Sequence, residues 1–184
     1  MAITKTVRIL LLGANIWYFG EGMMGPLFAI FAEKVGGDIL DITWAWATYL
    51  IVTGGLYILV GKLLNNKPYK ARVMVAGYVL NAVFTFCYLL VRTPFELLLV
   101  QAGLGVAEAT GTPAWDAIYA KNMMQESDAY AWGLSTGQAH MVTGIAFGIG
   151  GLMVHYVSFN GLFLLMGLVQ VLAALVTARI LWVR

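Results

Sequence analysis

Charge is what this chain most lacks. Eleven Lys and Arg and nine Asp and Glu make up only 11% of its 184 residues, against about 25% in soluble domains. That is too little to cover a water-facing surface. Cysteine is nearly absent too. Cys87 stands alone inside an apolar run, so no intrachain disulfide can form, and nothing near it has metal-ligand spacing. Walker loops, nucleophile elbows and dinucleotide fingerprints do not occur. ATP is therefore excluded as an energy source within the chain. Neither a nucleophile–base pair nor a metal set can be assembled, so no enzyme, no cofactor and no nucleic-acid partner is expected. Long polar segments are missing as well, which leaves no connection with room for an extramembrane domain.

What the chain has instead is apolar sequence. Hydrophobic residues reach 61% and the mean hydropathy is +0.82. A helix needs about 20 mostly apolar residues to cross a hydrocarbon core of roughly 30 Å. Six stretches have that length, at about residues 8–31, 42–64, 73–91, 95–120, 131–157 and 161–183. Short breakers separate them: Lys34-Val35-Gly36-Gly37-Asp38, Asn65-Asn66-Lys67-Pro68, Arg92-Thr93-Pro94, Gln125-Glu126-Ser127-Asp128 and Ser158-Phe159-Asn160. The expectation is a single domain spanning residues 1–184, an all-α integral membrane six-helix bundle whose first partner is the lipid bilayer. The first stretch is too long for the apolar core of a signal peptide, and it contains Asn15 and Glu21.

Orientation follows from the basic residues. With loops numbered alternately, one side collects Lys5, Arg8, Lys62, Lys67, Lys70, Arg72, Lys121, Arg179 and Arg184, and the other only Lys34 and Arg92. Nine against two places both termini in the cytoplasm, in a multi-pass protein of the cell membrane.

Ionisable groups inside a span are costly and mark candidate sites. Glu21 lies near the middle of the first span, with Asn15, Trp17 and Tyr18 within two turns. Gly20, Gly22, Gly25 and Pro26 surround it, so a kink or local unwinding is expected there. Glu108 lies near the middle of the fourth span, and Gln101 and Trp115 sit seven residues to either side on the same face. The competing reading for Glu108 is a structural pair with His140 or Gln138 of the fifth span. Asp116 is closer to the cytoplasmic end, where pairing with Lys121 or another interfacial cation is the simpler expectation. His140 is a candidate proton-relay partner, although a lone His on a helix face more often serves packing. His155 is read as an interfacial residue. Met23-Met24 and Met123-Met124 are read as packing and interface residues rather than copper ligands.

The fifth span carries Gly133, Gly137, Gly144, Gly148 and Gly151, mostly on one stripe. Small residues in that pattern let helix backbones approach closely. The Gly144–Gly148 pair matches GxxxG, a weak signal in a chain with 21 glycines.

Six spans, cytoplasmic ends and a short basic loop after the second span resemble the N-terminal half of a major facilitator superfamily transporter. The family's loop pattern, G-x-x-x-D-x-x-G-R-[RK], is met here by Gly61-Lys62-Leu63-Leu64-Asn65-Asn66-Lys67-Pro68-Tyr69-Lys70. Gly61 and Lys70 match, whereas Asn65, Pro68 and Tyr69 depart from it. In the fourth span Gly103, Gly105 and Pro113 fit the family pattern, but Gln101 stands where the arginine is expected. Gly150-Gly151 ends the fifth span as in the family, without the proline that marks its antiporters.

Family members contain two such halves related by an axis along the membrane normal, with the substrate site between them. The resemblance thus implies a half-size secondary transporter that pairs with a parallel copy of itself and moves a small solute, with protons as a possible coupling ion. It implies that Asn15, Tyr18, Glu21, Gln101, Glu108 and Trp115 are duplicated around one pocket, and Trp17 and His140 are further candidates for binding substrate or protons. Gly137, Gly144, Gly148 and Gly151 would lie at the dimer seam. Two alternatives stay open: a non-transporting assembly partner, and one half of a heterodimeric transporter.

Overall fold

The computed structural model describes residues 4–123 and 128–183. Seven α-helices are present among them: α1 (Lys5–Gly22), α2 (Leu27–Lys34), α3 (Ile39–Leu64), α4 (Lys70–Cys87), α5 (Pro94–Asn122), α6 (Asp128–Tyr156) and α7 (Phe159–Ala178). Single 3₁₀ turns, Tyr88–Leu90 and Arg179–Trp182, extend α4 and α7. Most of the polar connection after α5, Met124 and Arg184 lie outside the described residues.

Seven helices replace the expected six because the first apolar stretch is divided. Pro26 offers no N–H to continue α1, and the chain between Met23 and Pro26 turns through short i→i−3 bonds. Met24 N–H donates to the Glu21 carbonyl at 3.1 Å and Leu27 N–H to the Met24 carbonyl at 2.8 Å. The break is packed rather than loose. Gly150 of α6 lies directly against the Met23 carbonyl, an approach that leaves no room for a Cβ.

Other ends follow local chemistry. Asp38 and Asp41 form a capping box at α3, and Thr93 and Glu96 form one at α5 with Pro94 in its first turn. Ser158 caps α7 through the Gly161 N–H at 3.1 Å.

By length and composition four helices suffice to cross a membrane: α3, α4 with its 3₁₀ extension, α6 and α7 with its own, at mean hydropathies of 1.6, 1.9, 1.2 and 2.2. The two long helices that fall short are α1, with Lys5, Arg8 and Glu21, and α5, with Glu96, Glu108, Asp116 and Lys121. The helices that hold the candidate carboxyl groups Glu21, Glu108 and Asp116 are thus the two long ones that fall short.

Helix packing runs in the order α3–α5–α4–α7–α1–α6. The core forms two clusters. One joins Phe28, Phe31, Tyr88, Phe159 and Phe163, and the other joins Leu10, Trp17, Met74, Tyr78, Trp115 and Tyr119. At the ends of the order, α3 buries only Ala45 and Leu64, and α6 only Ala146 and Gly150. Their remaining faces are apolar and uncovered, with Trp44, Leu50, Ile51 and Ile58 on α3 and Met141, Ile145 and Leu152 on α6.

A second close backbone approach lies at the centre of the order. Gly77 of α4 rests on Gly111 of α5, and a Cβ there would sit 2.9 Å from the Ala107 carbonyl. Gly77→Ala is therefore expected to destabilise the fold by about 1–3 kcal/mol. Gly54→Ala on α3, where nothing lies within 4 Å of the new Cβ, is expected to be neutral or mildly stabilising. Tryptophan-monitored thermal unfolding of the purified variants in detergent tests the pair, and equal melting temperatures would remove the α4–α5 crossing from this role.

Candidate functional site: an acidic, aromatic cavity

A cavity of about 690 Å³ opens between α1, α4, α5 and α6. Trp17, Tyr18 and Glu21 reach it from α1, and Glu108, Trp115 and Asp116 from α5. Tyr78 contributes from α4, and Trp132, Thr136, His140 and Thr143 from α6. A smaller cavity of about 100 Å³ lies beside it, lined by Gln101, Tyr49, Tyr88 and Trp46 among others. Glu21 lines both.

Each carboxyl group has a neutral donor on a neighbouring helix. Asn81 Nδ2 of α4 donates to Glu21 Oε1 at 2.8 Å. Asn81 is fully buried, and Thr85 Oγ1 donates to its Oδ1 at 3.3 Å. From α3, the Tyr49 hydroxyl donates to Glu108 Oε2 and the Tyr57 hydroxyl to Asp116 Oδ2. The second oxygens of Glu108 and Asp116 have no hydrogen-bond partner among the described residues. Helices α3 and α5 run parallel, and each Tyr–acid pair is separated by 59 residues. Tyr49 and Tyr57 are eight residues apart, as are Glu108 and Asp116, so two like rungs repeat along one seam. Thr53 Oγ1 donates to the Gly105 carbonyl near the first of them, at 3.5 Å.

The aromatic wall is held in place. Trp17 packs edge-on against Tyr78 with centroids 4.3 Å apart, and Gln170 Nε2 of α7 donates to the Trp17 carbonyl at 3.1 Å. Trp115 stacks on Tyr119 at 4.7 Å, and its indole N–H donates to the Leu10 carbonyl at 3.3 Å. The Tyr119 hydroxyl reaches the Ala131 carbonyl at 2.5 Å, and its ring meets Trp132 edge-on at 5.1 Å.

Several expectations need correction. Glu108 bonds to Tyr49, not to His140 or Gln138. His140 lies on the cavity wall with its Nδ1 2.8 Å from the Thr136 carbonyl of its own helix. Asp116 bonds to Tyr57 of α3 rather than to Lys121. Asn15 lines neither cavity; its amide donates to Gln138 Oε1 at 3.0 Å, tying α1 to α6. Gln101 is buried in the smaller cavity and accepts from the Tyr88 hydroxyl at 3.2 Å.

The glycine stripe also differs from a within-chain packing seam. A Cβ at Gly137, Gly144, Gly148 or Gly151 would meet nothing within 4 Å, and Gly144 lines the cavity. Close approaches on α6 come from Ala146 and Gly150 on the opposite face. In the loop region Gly61 lies on the open side of α3, Asn65 is its C-cap and Lys70 begins α4.

Tyr49, Tyr57, Asn81 and Trp132 were not singled out from the sequence. The shared eight-residue spacing of the Tyr and acid pairs was an available signal for the first two, and a lone amide within an apolar helix was one for Asn81. Trp132 had none.

The Tyr49–Glu108 bond is open to a double-mutant cycle. Tyr49→Phe and Glu108→Leu are each expected to destabilise, and the double variant by less than their sum, with an interaction of about 0.5–3 kcal/mol. Strict additivity in thermal unfolding would show that the pair does not join α3 to α5.

Comparison with known proteins places this arrangement in a family. Residues 10–184 match the family model of the Major Facilitator Superfamily. Over 175 residues the chain is 23% identical to an uncharacterized MFS-type transporter of Methanocaldococcus jannaschii, a match covering 95% of this chain and 45% of that protein. The chain thus spans about half the length of the curated relative it matches. Its all-helical architecture, apolar helices and near-complete family match identify this chain as a multi-pass membrane protein of the Major Facilitator Superfamily.

Proposed function

We propose that this chain is one six-span half of a secondary transporter and carries a small solute by alternating access. In this reading α1 and α2 cross the bilayer together as one broken span, and α3 to α7 supply five more. The observation that carries it is the cavity: two polar helices, α1 and α5, face each other across a space of about 690 Å³ that holds three carboxyl groups. A second half would complete the carrier. The uncovered faces of α3 and α6, with open glycines at 54, 55 and 61 on one and 137, 148 and 151 on the other, suit a helix–helix seam between halves.

The second half is taken to be another copy of this chain. The nine-to-two distribution of basic residues favours one orientation, with both ends cytoplasmic. Two copies would then lie parallel and pair about a two-fold axis along the membrane normal. Native mass spectrometry from lipid is expected to show a dimer, whereas a persistent monomer would overturn the pairing.

Glu21 and Glu108 are the proposed proton-binding groups. A carboxylate inside a membrane domain is costly as an ion and readily exchanges a proton. The expected outcome is that Glu21→Gln and Glu108→Gln each abolish uptake driven by a pH gradient in proteoliposomes while melting temperatures stay within a few degrees. Unchanged uptake in both variants would overturn the assignment. The substitutions at Asn65 and Gln101 favour a second reading, a non-transporting membrane partner, which predicts no uptake of any solute by the wild type.

A further inference from the structure

We propose that the large cavity binds an organic cation: a lipophilic amine or onium ion with its charge spread over a bulky body. The proposal deepens the transporter reading and rests on it for the cavity being a solute site.

The sign of the ligand follows from the wall. Glu21, Glu108 and Asp116 line the cavity, and among the described residues no Lys or Arg lines either cavity. An anion would meet three acids and no permanently charged partner, with His140 the one basic group on the wall among the described residues. The second oxygens of Glu108 and Asp116, unpartnered among the described residues, remain available to a cation.

The size of the ligand follows from the spacing of the acids. Glu108 and Asp116 are eight residues apart on a continuous helix, about 12 Å along its axis. No three His, Cys, Asp or Glu among the described residues converge as a metal set. A calcium or magnesium ion, which gathers six or more oxygens at once, has no such shell among the described residues. A charge spread over a large body can instead face two acids in succession. The space of about 690 Å³ falls within the range that encloses drug-sized molecules.

The aromatic wall points the same way. Trp17, Trp115 and Trp132 present three indoles to the cavity, and indole attracts cations more strongly than the rings of Tyr or Phe do. Their rings are fixed by Tyr78 and Tyr119, so little ordering is required on binding.

The test uses tritiated tetraphenylphosphonium and the purified full chain in a scintillation-proximity assay. Tetraphenylborate, of the same shape and opposite charge, is the competitor. Saturable binding is expected, displaced by unlabelled tetraphenylphosphonium and not by tetraphenylborate. Glu108→Gln and Asp116→Asn are each expected to weaken it about tenfold, and Glu33→Gln, on the exposed face of α2, to leave it unchanged. Absence of saturable binding, equal displacement by tetraphenylborate, or unchanged affinity in both acid variants would overturn the proposal. Gradient-driven uptake of a neutral solute without phosphonium binding would overturn the cation and leave the transporter standing. Acid-dependent phosphonium binding by a chain that transports nothing would keep the cation site and overturn the transporter.

Discussion

Everything distinctive in this structure depends on one constraint: a carboxyl group in a medium without water must find its hydrogen bonds inside the protein. In a low-dielectric interior an unpaired polar group costs several kcal/mol. The chain meets this by giving each acid a neutral donor from a different helix. Asn81 serves Glu21, Tyr49 serves Glu108 and Tyr57 serves Asp116. None of these partners carries a charge. Each acid thus gains one hydrogen bond without being offset by a fixed cation, and the carboxyl groups keep the capacity to take up a proton or a positive ligand that an Arg or Lys partner would have cancelled.

The same bonds set the architecture. Helix α3 buries little of its own surface, yet two Tyr–acid rungs and the Thr53–Gly105 contact hold it in register along α5. At the other end of the packing order α6 is held to α1 by the Asn15–Gln138 amide pair and by the close approach of Gly150 to the break after α1. The central helices α4 and α7 are packed by ordinary apolar burial and by Gly77 against Gly111. Polar contacts thus tie on the flanking helices, while apolar contacts build the middle.

Much of this was readable in advance. Apolar stretches near 20 residues are a local property, so the helical segments could be placed from the sequence alone. The break near Glu21 was also legible, because Gly20, Gly22, Gly25 and Pro26 act on their own backbone. Same-face reasoning succeeded for Glu108 and Trp115 and failed for Gln101. Residues one heptad apart share a face but differ in height by about 10 Å, so the spacing alone does not state what each one meets. Gln101 meets Tyr88 and the smaller cavity, and Trp115 the larger. Asn15, six residues before Glu21 and so about a third of a turn away around the helix, faces α6 instead.

The sequence by itself determined that the chain is apolar and helical, that its mid-span acids Glu21, Glu108 and Asp116 lie on α1 and α5, and that the backbone near Glu21 departs from a straight helix. These features depend on residues close along the chain. Only the tertiary structure decided who partners whom. Tyr49 lies 59 residues from Glu108 and Asn81 lies 60 from Glu21, and no local pattern encodes a distance of that kind. It also decided that the α6 glycines face open space while Ala146 and Gly150 do the packing. The reason is geometric: a stripe on one helix states which residues share a face, whereas the rotation of that helix against its neighbours states what the face meets.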